Sequence, residues 1–196
     1  MFKERNHLNI QTLRQQTEAD HRIAEAAMPL MQPELDRTKY VACLEKLYGV
    51  VAAWEELAPV LAPDWLRALL LSRTRKSLLD RDLAAFGVTA SPGRARLPLC
   101  DDLPSLLGAM YVMEGSTLGG QIIARHVQIA IPLTHGHGDA FFRGHGSQTG
   151  PLWREFCEML TTRIPDTQAD KVILSAKAMF AVFADWMQEK SVMDGS

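Results

Sequence analysis

Apolar residues recur at every third or fourth position along most of this chain, and nowhere do they alternate over the length of a strand. That pattern confines the fold to helices packed on helices. Residues 9–28 place Leu13, Thr17, His21, Ala24 and Met28 on one stripe. Residues 36–62 carry Tyr40, Val41, Leu44, Leu47, Tyr48, Val51 and Trp54 at helical spacing, with Asp36 as a natural N-cap. A short helix follows Pro63, and another runs from Lys76 to Phe86, where Gly87 stops it. After Pro104 one segment reaches to about Ile129; Pro151 suits the first position of a helix bearing Trp153, Phe156 and Leu160. Residues 166–190 close the chain with Val172, Ala176, Phe180, Phe183 and Met187 on one face. "GVTASPGRARLPLC" and "PLTHGHGDAFFRGHGSQTG" are connections, the second with a helical turn around Phe141. No unit of roughly 20–50 residues repeats. The expectation is an all-α protein, residues 1–196 forming one compact multi-helix domain.

With 196 residues, 47% of them hydrophobic, the chain can bury a full core without disulfide or metal staples. A net charge of −2 gives no electrostatic footprint for nucleic acid. Cys43, Cys100 and Cys157 are odd in number and scattered, with no CxxC, so neither a disulfide framework nor a zinc knuckle is read. A reducing cytoplasm suits them. The polar start "MFKERNHLNIQTLRQQ" has no apolar signal core, and no run approaches the roughly 20 apolar residues that span a bilayer. No membrane partner is expected.

Against that regular background, "YVMEGSTLGGQIIARH" (111–126) is anomalous. It puts Gly115, Gly119 and Gly120 inside a helical segment, where each glycine costs about 1 kcal/mol relative to alanine. Gly115 and Gly119 lie one turn apart on a shared face. One explanation is close packing by a crossing helix. The other is a flat ligand lying on bare backbone, over which a kinked helix bends. Ser116 and Thr117 add hydroxyls there.

"TEADHRIAEA" (17–26) supplies a second candidate. His21 sits on a mostly apolar stripe, where a histidine with a satisfied hydrogen bond is the ordinary outcome. Its neighbours Ala24 and Ala27 are small, and Glu25, four residues on, can accept from the ring nitrogen that does not ligate. Arg14 lies two turns upstream, about 10 Å away on nearly the same face. A neutral imidazole, an apolar bed and a cation at the edge suit heme. The histidines His135, His137 and His145 could bind a metal, but a glycine-rich loop offers no fixed geometry and reads more simply as a solvated connection. Glu18-x-x-His21 is half of a di-iron carboxylate motif; Glu45, Glu55, Glu56 and Glu114 could add carboxylates, but no second ExxH exists.

Taken together, "LRQQTEADHRIAEA" and "YVMEGSTLGGQII" resemble the proximal and distal helices of heme oxygenases. "FFRGHGSQTGPLWREFC" and the Phe-bearing last helix resemble the short bacterial enzymes found beside bacteriophytochromes. The likeness runs from about residue 10 to 190. It implies that His21 is the axial ligand of heme iron, Glu25 its partner, and that Arg14 and Arg125 contact propionates. Thr17, one turn before His21, joins this binding set. Gly115, Ser116, Gly119 and Gly120 would form the catalytic distal face, where glycine leaves dioxygen room to tilt over the ring. Mammalian-type relatives carry aspartate where this chain has Ser116. The implied reaction turns heme, at once cofactor and substrate, into biliverdin, CO and ferrous iron, with O2 and electrons from a ferredoxin, flavodoxin or reductase. A bacteriophytochrome would receive the bilin. Two other readings stay open: a heme-binding or sensing protein without turnover, and a di-iron or thiaminase-like enzyme on a related helical fold.

Overall fold

Three side-chain caps set the frame of the protein, a computed structural model that describes residues 8–90, 93–133 and 137–189. Asn9 accepts from the Thr12 N–H at 2.7 Å and starts α1 (Ile10–Ala26). Asp36 accepts from the Lys39 N–H at 2.8 Å and starts α2 (Arg37–Leu61). Asp102 accepts from the Ser105 N–H at 2.9 Å and starts α5 (Leu103–Gly115), with Pro104 in its first turn. Between α2 and α5 lie α3 (Asp64–Ser72) and α4 (Lys76–Ala85). The chain leaves α4 through Gly87, whose φ of +74° is the left-handed conformation glycine adopts without strain. Then come α6 (Gly120–Ala130), the short α7 (Ala140–Arg143), α8 (Thr149–Arg163) and α9 (Ala169–Gln188). No strand occurs among the described residues.

The core is built around α9. Its Val172, Ala176 and Met179 are fully buried against α5, which is buried nearly all round. Gly108 makes this approach possible: a Cβ there would collide with the Val172 carbonyl. On its other side α9 packs against α1. The helix α9 therefore holds α1 and α5 in place, and α1 has no broad packing of its own on α5 or α6.

Two sequence expectations need correction. The segment after Pro104 is not one kinked helix. It is α5 and α6 separated by the turn 116–119, in which Thr117, Leu118 and Gly120 donate to carbonyls three residues back. Each i→i−3 bond tightens the chain relative to an α-helix and redirects the axis. The helix α8 begins at Thr149, so Pro151 occupies its third residue rather than its first, where its missing N–H is still harmless.

Asp102 ties helix start to core. Its carboxylate caps α5 and also accepts from Lys171 Nζ at 2.6 Å, joining α5 to α9. The Lys171 ammonium, with the Ser105 N–H, holds its pKa down to about 2. Asp102→Ala is expected to lower the thermal midpoint at pH 7 by roughly 2–4 °C, the effect of about 1 kcal/mol in a chain this size. A depressed carboxylate stabilises the fold above its unfolded pKa of about 3.9 and stops doing so as pH falls through its folded value. The gap between variant and wild type in melting experiments should therefore close between about pH 4 and about pH 2.

Candidate functional site

His21 lies on the rim of the α1 stripe rather than at its centre. Leu13, Thr17 and Ala24 are buried, whereas the His21 side chain is 53% exposed. Its ring meets the edge of Phe180 on α9, centroids 5.5 Å apart at 85°. Glu25 Oε2 stands 3.5 Å from His21 Nδ1. The i,i+4 spacing on α1 brings these two together, as the sequence implied. A carboxylate on the Nδ1 side favours the tautomer with its proton there and leaves the lone pair on Nε2.

Thr17 is buried and its hydroxyl donates to the Leu13 carbonyl at 2.8 Å, so it floors the region beside His21 instead of presenting a free group. The hydroxyl of buried Tyr111, on α5, meets Thr17 and lies in the field of Arg14; burial pushes this phenol's pKa up. Tyr111 is thus a bridge between α1 and α5, and Arg14 stands exposed beside it. Nothing in a period of apolar residues distinguishes such a tyrosine from ordinary core. Arg125 is exposed on α6.

The distal residues have four separate fates. A Cβ on Gly115 would meet the Trp153 ring at an ordinary 3.6 Å, and that ring in turn lies tilted at 49° against Tyr111 with centroids 5.6 Å apart. Ser116 Oγ donates to the Met113 carbonyl at 2.7 Å and accepts from Arg75 Nη2 at 3.2 Å. A Cβ on Gly119 would meet no atom within 4 Å. One on Gly120 would strike the Phe142 carbonyl of α7. None of the three has positive φ. Gly120 is therefore a packing glycine, and Gly119 is the position where bare backbone faces open space.

Behind this turn lies an ionic layer that sequence reasoning missed. Arg73 and Arg75 are each only 6% exposed. Arg73 donates to Glu114 at 2.6 Å, to Glu155 at 2.9 Å and to the Leu152 carbonyl at 3.2 Å. Burial pushes the Glu114 carboxyl up, against the pull of Arg73. Glu55 accepts from the backbone N–H groups of Arg75 and Lys76 and caps α4. Burial, and then the fields of Arg75 and Arg73, lower the pKa of half-buried His145 and keep its imidazole neutral at pH 7.

Three of the four carboxylates offered to a di-iron site are engaged elsewhere: Glu114 holds Arg73, Glu55 caps α4 and Glu56 grips Arg94 at 2.8 Å. Among the described residues no three His, Cys, Asp or Glu side chains converge as a metal cluster. His137 is exposed, and His135 lies outside the described residues. Among those residues no helix is long and apolar enough to cross a membrane.

The arrangement suits a large flat ligand. A half-exposed imidazole on α1 and a turn after α5 that is bare at Gly119 belong to helices that α9 holds with little direct packing between them. Aromatic surface from Phe180 and Trp153 adjoins the two sides. Two shallow clefts elsewhere, about 290 Å³ beside Arg94 and about 340 Å³ beside Lys177, include neither His21 nor Gly119.

Comparisons with known proteins point to one family and one fold. A family model described as heme oxygenase matches residues 8–189. A curated heme oxygenase of Xanthomonas campestris pv. campestris is 31% identical, over 79% of this chain and 92% of its own. Two solved structures share the fold. The heme oxygenase of Leptospira interrogans has a TM-score of 0.75 at 23% identity, covering 90% of this chain and 97% of that one. The NO- and CO-bound heme oxygenase of Neisseria meningitidis has a TM-score of 0.69 at 20% identity, covering 91% and 89%.

Proposed function

From the premise that the chain belongs to the heme oxygenase family, we infer that it is an enzyme that binds heme between α1 and the turn 116–119 and degrades it to biliverdin, CO and ferrous iron. What supports this reading is a half-exposed His21 with Glu25 3.5 Å from its Nδ1, and a Gly119 at which a Cβ would meet no atom within 4 Å. Heme, when bound, would supply the iron that activates dioxygen and the ring that is opened, so it is substrate as well as cofactor.

The chain's own residues would do the rest. His21 Nε2 would ligate iron, and Glu25, accepting from Nδ1–H, would keep the ring correctly turned. The Phe180 edge limits rotation of the ring. Arg14 would be the cation that meets a propionate, with Arg125 offered from α6 as the second. Gly119 would leave lateral room for dioxygen, with Gly115 beside it under the Trp153 ring. The Ser116 hydroxyl has its proton engaged with Met113 and one lone pair with Arg75. It could only accept a further hydrogen bond, so its contribution to ordering distal water would be as an acceptor. Electrons would come from outside, from a ferredoxin, flavodoxin or reductase, and the free cysteines suit a reducing cytoplasm. Delivery of the bilin to a bacteriophytochrome rests on the resemblance of residues 141–157 and of the Phe-bearing last helix.

The test is direct. Hemin added to the purified protein should give a Soret band at one equivalent. Ascorbate or a ferredoxin system in air should then replace that band with bilin absorbance. A stable Soret band under turnover conditions would favour heme storage or sensing, and no band at all would refute the site.

A further inference from the structure

The helix α4 reaches one side of the distal turn through its N-cap residue Arg75 and the other side through α7. At its start, Arg75 Nη2 donates to the Met113 carbonyl at 3.1 Å and to Ser116 Oγ at 3.2 Å, gripping the end of α5. Seven residues on, and therefore on nearly the same helix face about 10 Å away, Asp82 is fully buried. Its two carboxylate oxygens accept from the Ala140 and Phe141 N–H groups, each at 2.8 Å. This fixes α7, and α7 fixes α6: the Phe142 carbonyl abuts Gly120, and Gln121 Nε2 donates to the Arg143 carbonyl at 2.9 Å. The Arg75 guanidinium also lies over the Phe141 ring, 4.8 Å from its centre, so the two grips share a surface. Glu55 of α2 anchors the whole element by capping α4.

Across the turn the chain keeps only i→i−3 bonds, Leu118 N–H to the Gly115 carbonyl and Gly120 N–H to the Thr117 carbonyl among them, a poorer ladder than that of an α-helix for holding two halves at a set angle. The turn includes Gly119, and the halves are tied in addition to one short helix. We propose that Arg75 and Asp82 are positioning residues, and that α4 is a brace that sets the separation of α5 and α6 and hence the gap in front of Gly119. The proposal rests on the reading of that gap as the distal side of the heme site. Neither residue touches the substrate; each acts through the backbone it holds.

Two conservative variants test the brace. Arg75→Lys keeps a cation but cannot fork between two acceptors. Asp82→Asn keeps the shape but loses one of two acceptors. In the heme-free full-length protein, amide hydrogen exchange across residues 114–122 should rise at least tenfold in each, while residues 172–184 of α9 stay within twofold of wild type. In the hemin-loaded protein, a loosened gap should admit bulky ligands more readily. The ratio of imidazole to cyanide affinity should shift at least tenfold toward imidazole, with hemin affinity little altered because His21 is untouched. Exchange that is unchanged at the turn, or raised equally in α9, overturns the brace, as does an unaltered ligand ratio. Failure of the wild type itself to bind hemin overturns the site reading instead, and the exchange comparison still decides whether α4 holds the turn.

Discussion

His21→Ala is expected to abolish bilin formation and weaken hemin binding by roughly a hundredfold, about 2.8 kcal/mol at 1.4 kcal/mol per tenfold. The size of the effect follows from position. The ring is half exposed and its contacts are one aromatic edge and one surface carboxylate. Exposed substitutions of this kind change stability by no more than about 0.5 kcal/mol. The thermal midpoint of the heme-free protein should therefore stay within about 2 °C of wild type, so lost binding cannot be blamed on lost fold. Added imidazole should restore part of the Soret band by occupying the vacated space. Glu25→Gln should have a smaller effect in the same assay, about tenfold, because it alters only the basicity and orientation of a ligand that remains. Full turnover and an unchanged spectrum in His21→Ala would mean that another group holds the iron.

Legibility in the sequence divided according to how local each feature was. The helices α1, α2 and α9 were readable because a long amphipathic period and a cap within three residues determine them. The His21–Glu25 pair was readable for the same reason, being one turn of one helix. The break at 116–119 was not. Glycine tolerates α-helix and tight turn almost equally, and the choice is made by contacts with distant segments: Phe142 against Gly120, Arg75 against Ser116. Nor was the burial of Arg73 and Arg75 readable. "SRTRKS" has the composition of a solvated charge run, and its burial depends on Glu114, Glu155 and Glu55, none of them within 17 residues. A glutamate inside the otherwise apolar α5 was the available signal, since a buried carboxylate demands a partner. Its meaning, a structural ion pair rather than a metal ligand, required coordinates.

The adjacent glycines Gly119 and Gly120 separate packing from function in a single comparison. Gly119→Leu adds a side chain where no atom lies within 4 Å, so the protein can accept it without moving. Its thermal midpoint should remain within about 4 °C of wild type, since removing a glycine from a helical conformation changes stability by at most about 1 kcal/mol. Its turnover should fall at least about a hundredfold, because the added isobutyl group would occupy the space that dioxygen needs. Gly120→Ala should behave in the opposite sense. Even one methyl group meets the Phe142 carbonyl, which Asp82 and the α7 backbone hold in place, so α6 and α7 must separate. Overpacking of that kind costs about 1–3 kcal/mol, a loss of several degrees in melting temperature, with activity declining only as the fold does. If glycine at both positions served helix packing alone, the two variants would lose stability together and Gly119→Leu would keep its rate per folded molecule. A stable, hemin-binding Gly119→Leu protein that makes no bilin leaves only the open space itself as the quantity that was lost.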